Sequence, residues 1–385
     1  MALHPKKSIF YLMSLAAGLI VANIYYSQPL LNEISNSFNV SESEVSNVAL
    51  CSQLGYAFGL LLIIPLGDKI ATKKILSYNF LFMITGLTAM AFSPSLFCLL
   101  LSSFVVGLAS SVPQLLIPLA AHIATPEERG KSIGIVMSGL LIGILVSRII
   151  SGVIGEHFGW RILYIIAGIS MLLLYIVLQY RLPSYNPDYK GNYVQLMNSL
   201  RFYLVDDNNI RMAGLRGALG FAGLSAFWTT LVFLMNDSFG YGSTITGLFG
   251  VIGIFGALSA AVIGKWNDKL NQKTILLIAS ITLFSAWCVL SFSTHSVIML
   301  IIGVILIDLG LQALHITNQN IIFEKYPDAR NRVNTVYMFT SFIGGALGTT
   351  LGAFSYQNWG WTGVTTLGTF LMILLLTMSI KNYGS

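Results

Sequence analysis

Three observations predict an all-α polytopic membrane protein with twelve transmembrane helices in two six-helix bundles: charge is scarce, apolar runs reach spanning length, and loop patterns return after about 200 residues. Of 385 residues, 55% are hydrophobic and 9% charged, against roughly 25% charged in an average soluble domain. That is too little charge to coat a water-soluble globule. Runs such as 80–92 with its flanks, 162–178 and 298–307 approach or cross a hydrocarbon layer ~30 Å thick. Within that layer backbone amides are satisfied only by helices or closed barrels. The alternation that barrel strands need is absent, so helices follow.

Hydropathy and chain breakers place the spans at 9–31, 45–67, 74–93, 96–122, 131–155, 161–181, 212–235, 245–265, 274–292, 296–321, 334–355 and 362–380. They are called helices 1 to 12. Ser41 with Glu44 has capping-box spacing before helix 2, and Thr125, Pro126 and Glu127 supply a helix start before helix 5. Gln114 between Pro113 and Pro118 marks a bend in helix 4. The one long polar stretch, Arg181 to Arg211, contains Pro183, Pro187 and a short surface helix near Tyr193 to Leu204. The expected organisation is an N-terminal bundle over 1–182, a linker over 183–210 and a C-terminal bundle over 211–385.

Charge placement tests the helix count. With the N-terminus in the cytoplasm, 19 of the 21 Lys and Arg residues fall at cytoplasmic loops, tails and helix ends; Arg161 lies outside and Arg148 within the membrane. The opposite orientation breaks the positive-inside rule. Twelve spans, both termini cytoplasmic and a multi-pass inner-membrane location are therefore the consistent set. The same segregation explains the net charge of +6 without a nucleic-acid partner. Cys51, Cys98 and Cys288 sit in or beside apolar runs without metal-ligand spacing, so neither a disulfide framework nor a metal site is expected. No cofactor is expected either. Lys6 and Lys7 precede an apolar stretch as in a signal peptide, but no small-residue cleavage site follows, and helix 1 is expected to stay.

The repeat is specific. A shift of 200 lays Gly67, Asp68, Lys69 and Lys73 over Asn267, Asp268, Lys269 and Lys273; a shift of 201 lays Pro126, Glu127, Arg129 and Lys131 over Pro327, Asp328, Arg330 and Arg332. The second shift also lays Gly159 and Trp160 over Gly360 and Trp361. Six helices separate the copies, so the halves share one topology and are related by an axis along the membrane normal. The loop after helix 2 runs Pro-Leu-Gly-Asp-Lys-Ile-Ala-Thr-Lys-Lys from Pro65 to Lys74, and its counterpart Gly-Lys-Trp-Asn-Asp-Lys-Leu-Asn-Gln-Lys from Gly264 to Lys273. Both resemble the GxxxDRxGRR signature of the major facilitator superfamily. The second copy keeps Gly264 and Asp268, whereas the first has Ile64 for the glycine and Ala71 and Thr72 for the later glycine and arginine. The segments Asn23 to Leu31 and Asp308 to Gln312 are similar to a group of bacterial efflux permeases. The resemblance implies a gating role for Asp68 and Asp268 with their neighbours Lys69, Gly264 and Lys269. A solvated loop that only enforces topology is the plainer reading.

Helix 5 carries Gly139, Gly143, Ser147, Ser151 and Gly155 at four-residue spacing, and helix 11 carries Gly344, Gly348 and Gly352. Small residues at this spacing let membrane helices approach closely, either as sliding seams or as ordinary tight packing. The helix 5 pattern resembles the superfamily's GPxxGG antiporter motif, but Ser147, Arg148, Ser151 and Gly152 replace it.

Asp308 and Arg148 are the charges within spans, where each costs roughly 2.5 to 3.5 kcal/mol on insertion scales. Gln312, His315 and Gln319 follow Asp308 on one face of helix 10. This stripe fits proton coupling by Asp308 and His315 with solute contacts at Gln312 and Gln319. Alternatively, Asp308 pairs permanently with Arg148 or Arg216 and joins helices. Arg148 itself is either a counter-ion or an anion-binding group. Helix 1 offers Asn23, Tyr25, Tyr26 and Gln28 before Pro29, helix 7 offers Trp228, and helix 4 offers Gln114. In the superfamily, helices 1, 4, 7 and 10 line the cavity, which implies that these residues and Arg148 hold substrate. For the two tyrosines an interfacial aromatic belt is an equal reading.

The function these features imply is secondary active transport of a small organic solute, proton-coupled and directed outward, by a monomer whose partners are solute, protons and lipid. No GxxxxGK[ST] loop is present, which leaves an ion gradient as the driving force. Uptake by proton symport and a non-transporting receptor or assembly partner are the alternatives. An enzyme is not expected, since HExxH and GxSxG are both missing.

Overall fold

The structure is a computed structural model that describes residues 8–125, 128–183, 185, 193–253, 256, 259, 263 and 270–383. All regular structure among these residues is helical. The first half comprises helix 1 (Ser8–Phe38), helix 2 (Glu42–Asp68), helix 3 (Thr72–Ala91), helix 4 (Leu96–Ile123), helix 5 (Arg129–Phe158) and helix 6 (Trp160–Arg181). The linker helix is Tyr193–Val205. Helix 7 (Asn208–Phe239), helix 9 (Gln272–Leu290) and helix 10 (Val297–Lys325) belong to the second half. Helix 8 begins as Ser243–Leu248 and continues as a 3-10 turn, Phe249–Gly253; residues 256, 259 and 263 are helical as well. Helices 11 and 12 run together as Arg330–Tyr383, interrupted at Gly360, where φ is 58°. At 1.5 Å per residue such a rod would be about 80 Å long, far beyond one bilayer, so the break makes it two spans. With helix 8 counted, the helices among the described residues number twelve apart from the linker helix.

Local chemistry explains the breaks. Helix 1 stops at Tyr25 and passes through a 3-10 turn, Gln28–Leu30, at Pro29. Helix 4 is split into Leu96–Ala109 and Pro113–Ile123, because Pro113 has no amide to continue the ladder. The capping box before helix 2 is complete: Glu44 accepts from the Ser41 amide at 2.9 Å, and the Ser41 hydroxyl accepts from the Glu44 amide at 3.3 Å. For helix 5, Pro126 and Glu127 of the expected start lie outside the described residues, and Glu128 takes the cap position. The Gly-Trp repeat appears twice as one corner: Gly159 (φ 87°) and Gly360 (φ 58°) turn the chain, and Trp160 and Trp361 are buried behind them. Trp160 Nε1 donates to Ser37 Oγ and Trp361 Nε1 to Ser293 Oγ, at 3.0 and 2.9 Å.

The four-residue glycine patterns lie within each half. Gly139 and Gly143 of helix 5 press on the backbone of Ser14 and Gly18 in helix 1; Gly344, Gly348 and Gly352 of helix 11 press on Ala218, Ala222 and Ala226 in helix 7. These seams knit each bundle, and the plain packing reading describes them. A Cβ at Gly143 would overlap Gly18 backbone atoms, whereas one at Gly130 meets nothing within 4 Å. Gly143→Val is accordingly expected to destabilise the purified protein by the upper part of the ~1 to 3 kcal/mol typical of overpacking. Gly130→Ala is expected to leave the unfolding temperature unchanged or raised. Thermal unfolding in detergent compares them; equal temperatures for both variants would contradict the packing argument.

The two halves meet in an unequal way. An even number of spans puts the linker and both chain ends on one face, called the linker face. On the opposite face helices 5 and 8 touch backbone to backbone: a Cβ on Gly152 would strike Ser243, and one on Gly247 would strike the Arg148 carbonyl. Ser243 Oγ donates to the Gly152 carbonyl at 3.2 Å, and the Thr244 amide donates to Glu156 at 2.7 Å. Helices 2 and 11 also cross between halves, where Tyr56 meets Phe342 at 4.4 Å between ring centroids. On the linker face a cavity of about 430 Å³ opens between helices 2, 4, 5 and 11 and the linker helix.

Candidate functional site

Arg148 is the centre of the inter-half site. It sits on helix 5, 4% exposed, where burying a guanidinium requires partners to replace water. Its Nε donates to Gln28 Oε1 at 3.1 Å. Its Cζ lies 3.8 Å from the Trp228 ring centroid and 5.0 Å from that of Tyr25. A desolvated cation on an indole face is stabilised by about 2 kcal/mol, so Trp228 offsets part of the cost of keeping this charge. Gln28 reaches Arg148 because the 3-10 turn at Pro29 redirects the chain at the end of helix 1.

Beside Arg148 lies a cavity of about 150 Å³ whose wall includes Tyr25, Trp228, Asp308 and Gln312. Asp308 is the twelfth residue of the 29-residue helix 10, close to mid-depth. Helix 8 approaches it through two glycines: a Cβ on Gly256 would come within 2.9 Å of Asp308 Cβ, and one on Gly253 within 3.3 Å of Asp308 Oδ2. Among the described residues, the buried Asp308 Oδ2 has no hydrogen-bond partner. Arg148 is the cation that faces it. Arg216 is engaged elsewhere, donating from Nε to Asn318 Oδ1 at 2.9 Å.

The structure thus brings Tyr25, Gln28, Arg148, Trp228, Asp308 and Gln312 together, and separates the other expected site residues from them. Asn23 turns away, donating to the Leu19 and Ile20 carbonyls and to Met171 Sδ in helix 6. Tyr26 is buried, near Tyr164 of helix 6. His315 Nδ1 is 3.1 Å from the Tyr337 hydroxyl, and Gln319 donates to Asn334 at 2.9 Å; both tie helix 10 to helix 11. Gln114 lies in the larger cavity and reaches the Tyr56 hydroxyl at 3.4 Å. Helix 4 is therefore replaced at the smaller cavity by helices 5 and 8. Asp68 sits in the wall of the larger cavity with Arg332 of helix 11 opposite it, and Lys69 is exposed beside it. Gly264, Asp268 and Lys269 lie outside the described residues.

Several members of the interface were not singled out by the sequence. Gln53 of helix 2 is 3% exposed and accepts from the Thr349 hydroxyl of helix 11 at 3.3 Å, while Thr349 also meets Thr229 of helix 7 at 3.3 Å. A lone glutamine inside an apolar span is a detectable signal, since buried amides need partners. Arg332 and the Gly253 and Gly256 pair carry weaker signals, because a loop arginine and helix glycines are common.

Comparison with known proteins agrees with this architecture. The sequence model of the Major Facilitator Superfamily matches residues 13–259 and 215–381. The chain is 39% identical over 370 residues to YgaY of Escherichia coli (strain K12), an uncharacterized transporter, covering 96% of this chain and 94% of that one. It is 29% identical over 367 residues to the probable transporter SCO4007 of Streptomyces coelicolor, covering 94% and 85%. A POT family transporter in complex with a thioalcohol-conjugated peptide superposes with a TM-score of 0.78 at 14% identity, covering 98% and 95%. This last likeness concerns the fold. With two matched halves, twelve spans and transporter relatives along nearly the whole chain, the protein belongs to the major facilitator superfamily.

Proposed function

We propose that the chain is a proton-coupled secondary transporter that exports a small organic solute across the cytoplasmic membrane by rocking its halves about the Arg148 and Asp308 site. The observation that carries the reading is the carboxylate oxygen of Asp308 at mid-depth, without a hydrogen-bond partner among the described residues and facing Arg148 from the other half. A carboxyl group in that position can take a proton in one access state and release it in the other. Tyr25, Gln28, Arg148, Trp228 and Gln312 form the solute site. Coupling is assigned to Asp308. His315 is assigned the positioning of helix 10 against helix 11, since its Nδ1 already meets Tyr337.

Outward direction is the reading that the linker face supports. The basic residues at loops, tails and helix ends concentrate on it, which makes it cytoplasmic under the positive-inside rule, and the larger cavity opens there. An opening on this side supports loading of solute from the cytoplasm, as export requires. Asp68, with Arg332 opposite and Lys69 beside it, is positioned to latch this face when it closes; Gly264, Asp268 and Lys269 are their counterparts by the repeat. One proton crossing 100 mV supplies about 2.3 kcal/mol, enough for a roughly 50-fold solute gradient.

A metabolite-release screen on an overexpressing strain identifies the solute, and its accumulation is then followed in cells with and without the protein. Lower accumulation in expressing cells, reversed by an uncoupler, is the expected result. Higher accumulation that the uncoupler abolishes would instead establish uptake by symport.

A further inference from the structure

We infer that the solute held between Arg148 and Asp308 is a small zwitterion, with a carboxylate for the guanidinium and an ammonium for the aspartate. The inference rests on reading this cavity as the transport site. Among the described residues its wall carries one cation, Arg148, and one anion, Asp308. Both have unused bonding capacity. A guanidinium has five N–H donors, and among the described residues Arg148 uses one, Nε to Gln28. Asp308 Oδ2 is buried and, among the described residues, has no hydrogen-bond partner. A planar fork of donors suits a carboxylate in bidentate fashion, and an ammonium supplies the donors that Asp308 lacks.

Other charge types fit worse. A simple anion would satisfy Arg148 but meet Asp308 as a like charge, and a simple cation would meet Arg148 in the same way. Lipophilic and quaternary cations usually need a free aromatic face. Here the Trp228 face is occupied by Arg148 at 3.8 Å. Size narrows the class further, because about 150 Å³ falls below the ~300 to 1,000 Å³ of drug-sized pockets. The rest of the wall is apolar, with Leu145, Phe221 and Leu224 among it, which suits a short apolar side chain. Small amino acids and compounds of similar charge layout match these limits.

The assignment also accounts for exchange. The titratable groups facing Asp308 across this cavity are Arg148 from helix 5 and Tyr25 from helix 1; helices 7 and 8 contribute none among the described wall residues. Asp308 can hold a proton or pair with the solute's ammonium, but not both. Solute arrival and proton departure are thereby the same event.

The test uses the purified full-length protein and measures thermal stabilisation by amino acids with small side chains, each paired with its decarboxylated amine and its deaminated acid. Tetraphenylphosphonium serves as the lipophilic cation. At least one amino acid should stabilise the protein in a saturable way, and its amine and acid should bind about 30-fold more weakly or worse. Arg148→Lys and Asp308→Asn should each weaken the amino acid to a similar degree, with Asp308→Glu restoring part of it; either of the first two suffices if the other fails to fold. Amine or acid binding within tenfold of the amino acid, stabilisation by tetraphenylphosphonium alone, or no response to any amino acid would overturn the assignment. Proton release from proteoliposomes separates this from the transport reading. Asp308-dependent release driven only by a solute that is not zwitterionic sinks the ligand class and keeps the transporter. A bound zwitterion without Asp308-dependent proton movement does the reverse.

Discussion

Asp308→Asn is expected to abolish proton-coupled flux while the protein remains folded in the membrane. Asparagine preserves the side-chain shape, so the fit against Gly253 and Gly256 on helix 8 is kept, but an amide cannot take up and release a proton. The substitution also removes a charge from a region where charge is costly. It leaves Arg148 without the anion it faces, though Gln28 and the Trp228 face still hold the guanidinium. The measurement is solute flux in proteoliposomes at several imposed pH gradients, beside size-exclusion behaviour and unfolding temperature. A monodisperse, stable variant without gradient-driven flux is the expected outcome. Normal pH-dependent transport by this variant would remove Asp308 from the mechanism.

The second large effect is expected from Gly247→Val. Gly247 of helix 8 packs directly on the Arg148 carbonyl of helix 5, so a Cβ there overlaps backbone of the opposite half. Backbone cannot rotate aside as a side chain can, and packed interfaces tend to switch between arrangements instead of deforming continuously. The valine should wedge apart the face opposite the linker and favour the state open to that side. Transport should fall at least about tenfold, which corresponds to a bias of ~1.4 kcal/mol between the states. A cysteine at Ser243, buried in the present arrangement, should become reactive to a membrane-impermeant thiol reagent added on that face. Unchanged labelling together with unchanged transport would show that this contact does not close the pathway.

The fold was legible in the sequence because its cause is compositional. A chain with 9% charged residues has few structures open to it in lipid, and the Gly159-Trp160 and Gly360-Trp361 corners repeat at matching places in the two halves. Pro113 marked a real interruption in helix 4, where an amide is missing, whereas the 3-10 turn at Pro29 breaks a span expected to run unbroken over 9–31. The candidate site was legible where a residue was anomalous for its surroundings: Arg148 and Asp308 are charges in apolar spans, and they line one cavity. Rotation about a helix axis was harder to read. Asn23 and Tyr25 are neighbours in helix 1, yet Asn23 faces Met171 and Tyr25 faces Arg148. His315 and Gln319 follow Asp308 at helical spacing, but helix 11 claims both through Tyr337 and Asn334. Partner choice depends on which helix lies alongside, and that is set by the whole bundle. The four-residue glycine patterns gave close approach correctly without saying to what: Gly143 fits against Gly18 in its own half, while the contact with the other half is made by Gly152, outside that pattern, against Ser243.

The linker helix packs chiefly on the second half, burying Leu196 and Leu200, with Leu200 in one cluster with Ile210, Val333 and Tyr337, and it is tied to the first half by a 2.9 Å bond from the Tyr193 hydroxyl to the Leu62 carbonyl. It also forms part of the wall of the larger cavity. The wall of the opening on the linker face thus includes a segment outside both bundles, apart from the residues proposed to hold the solute. Exchanging this helix among relatives should alter how fast the vestibule fills and leave the choice of cargo as it was.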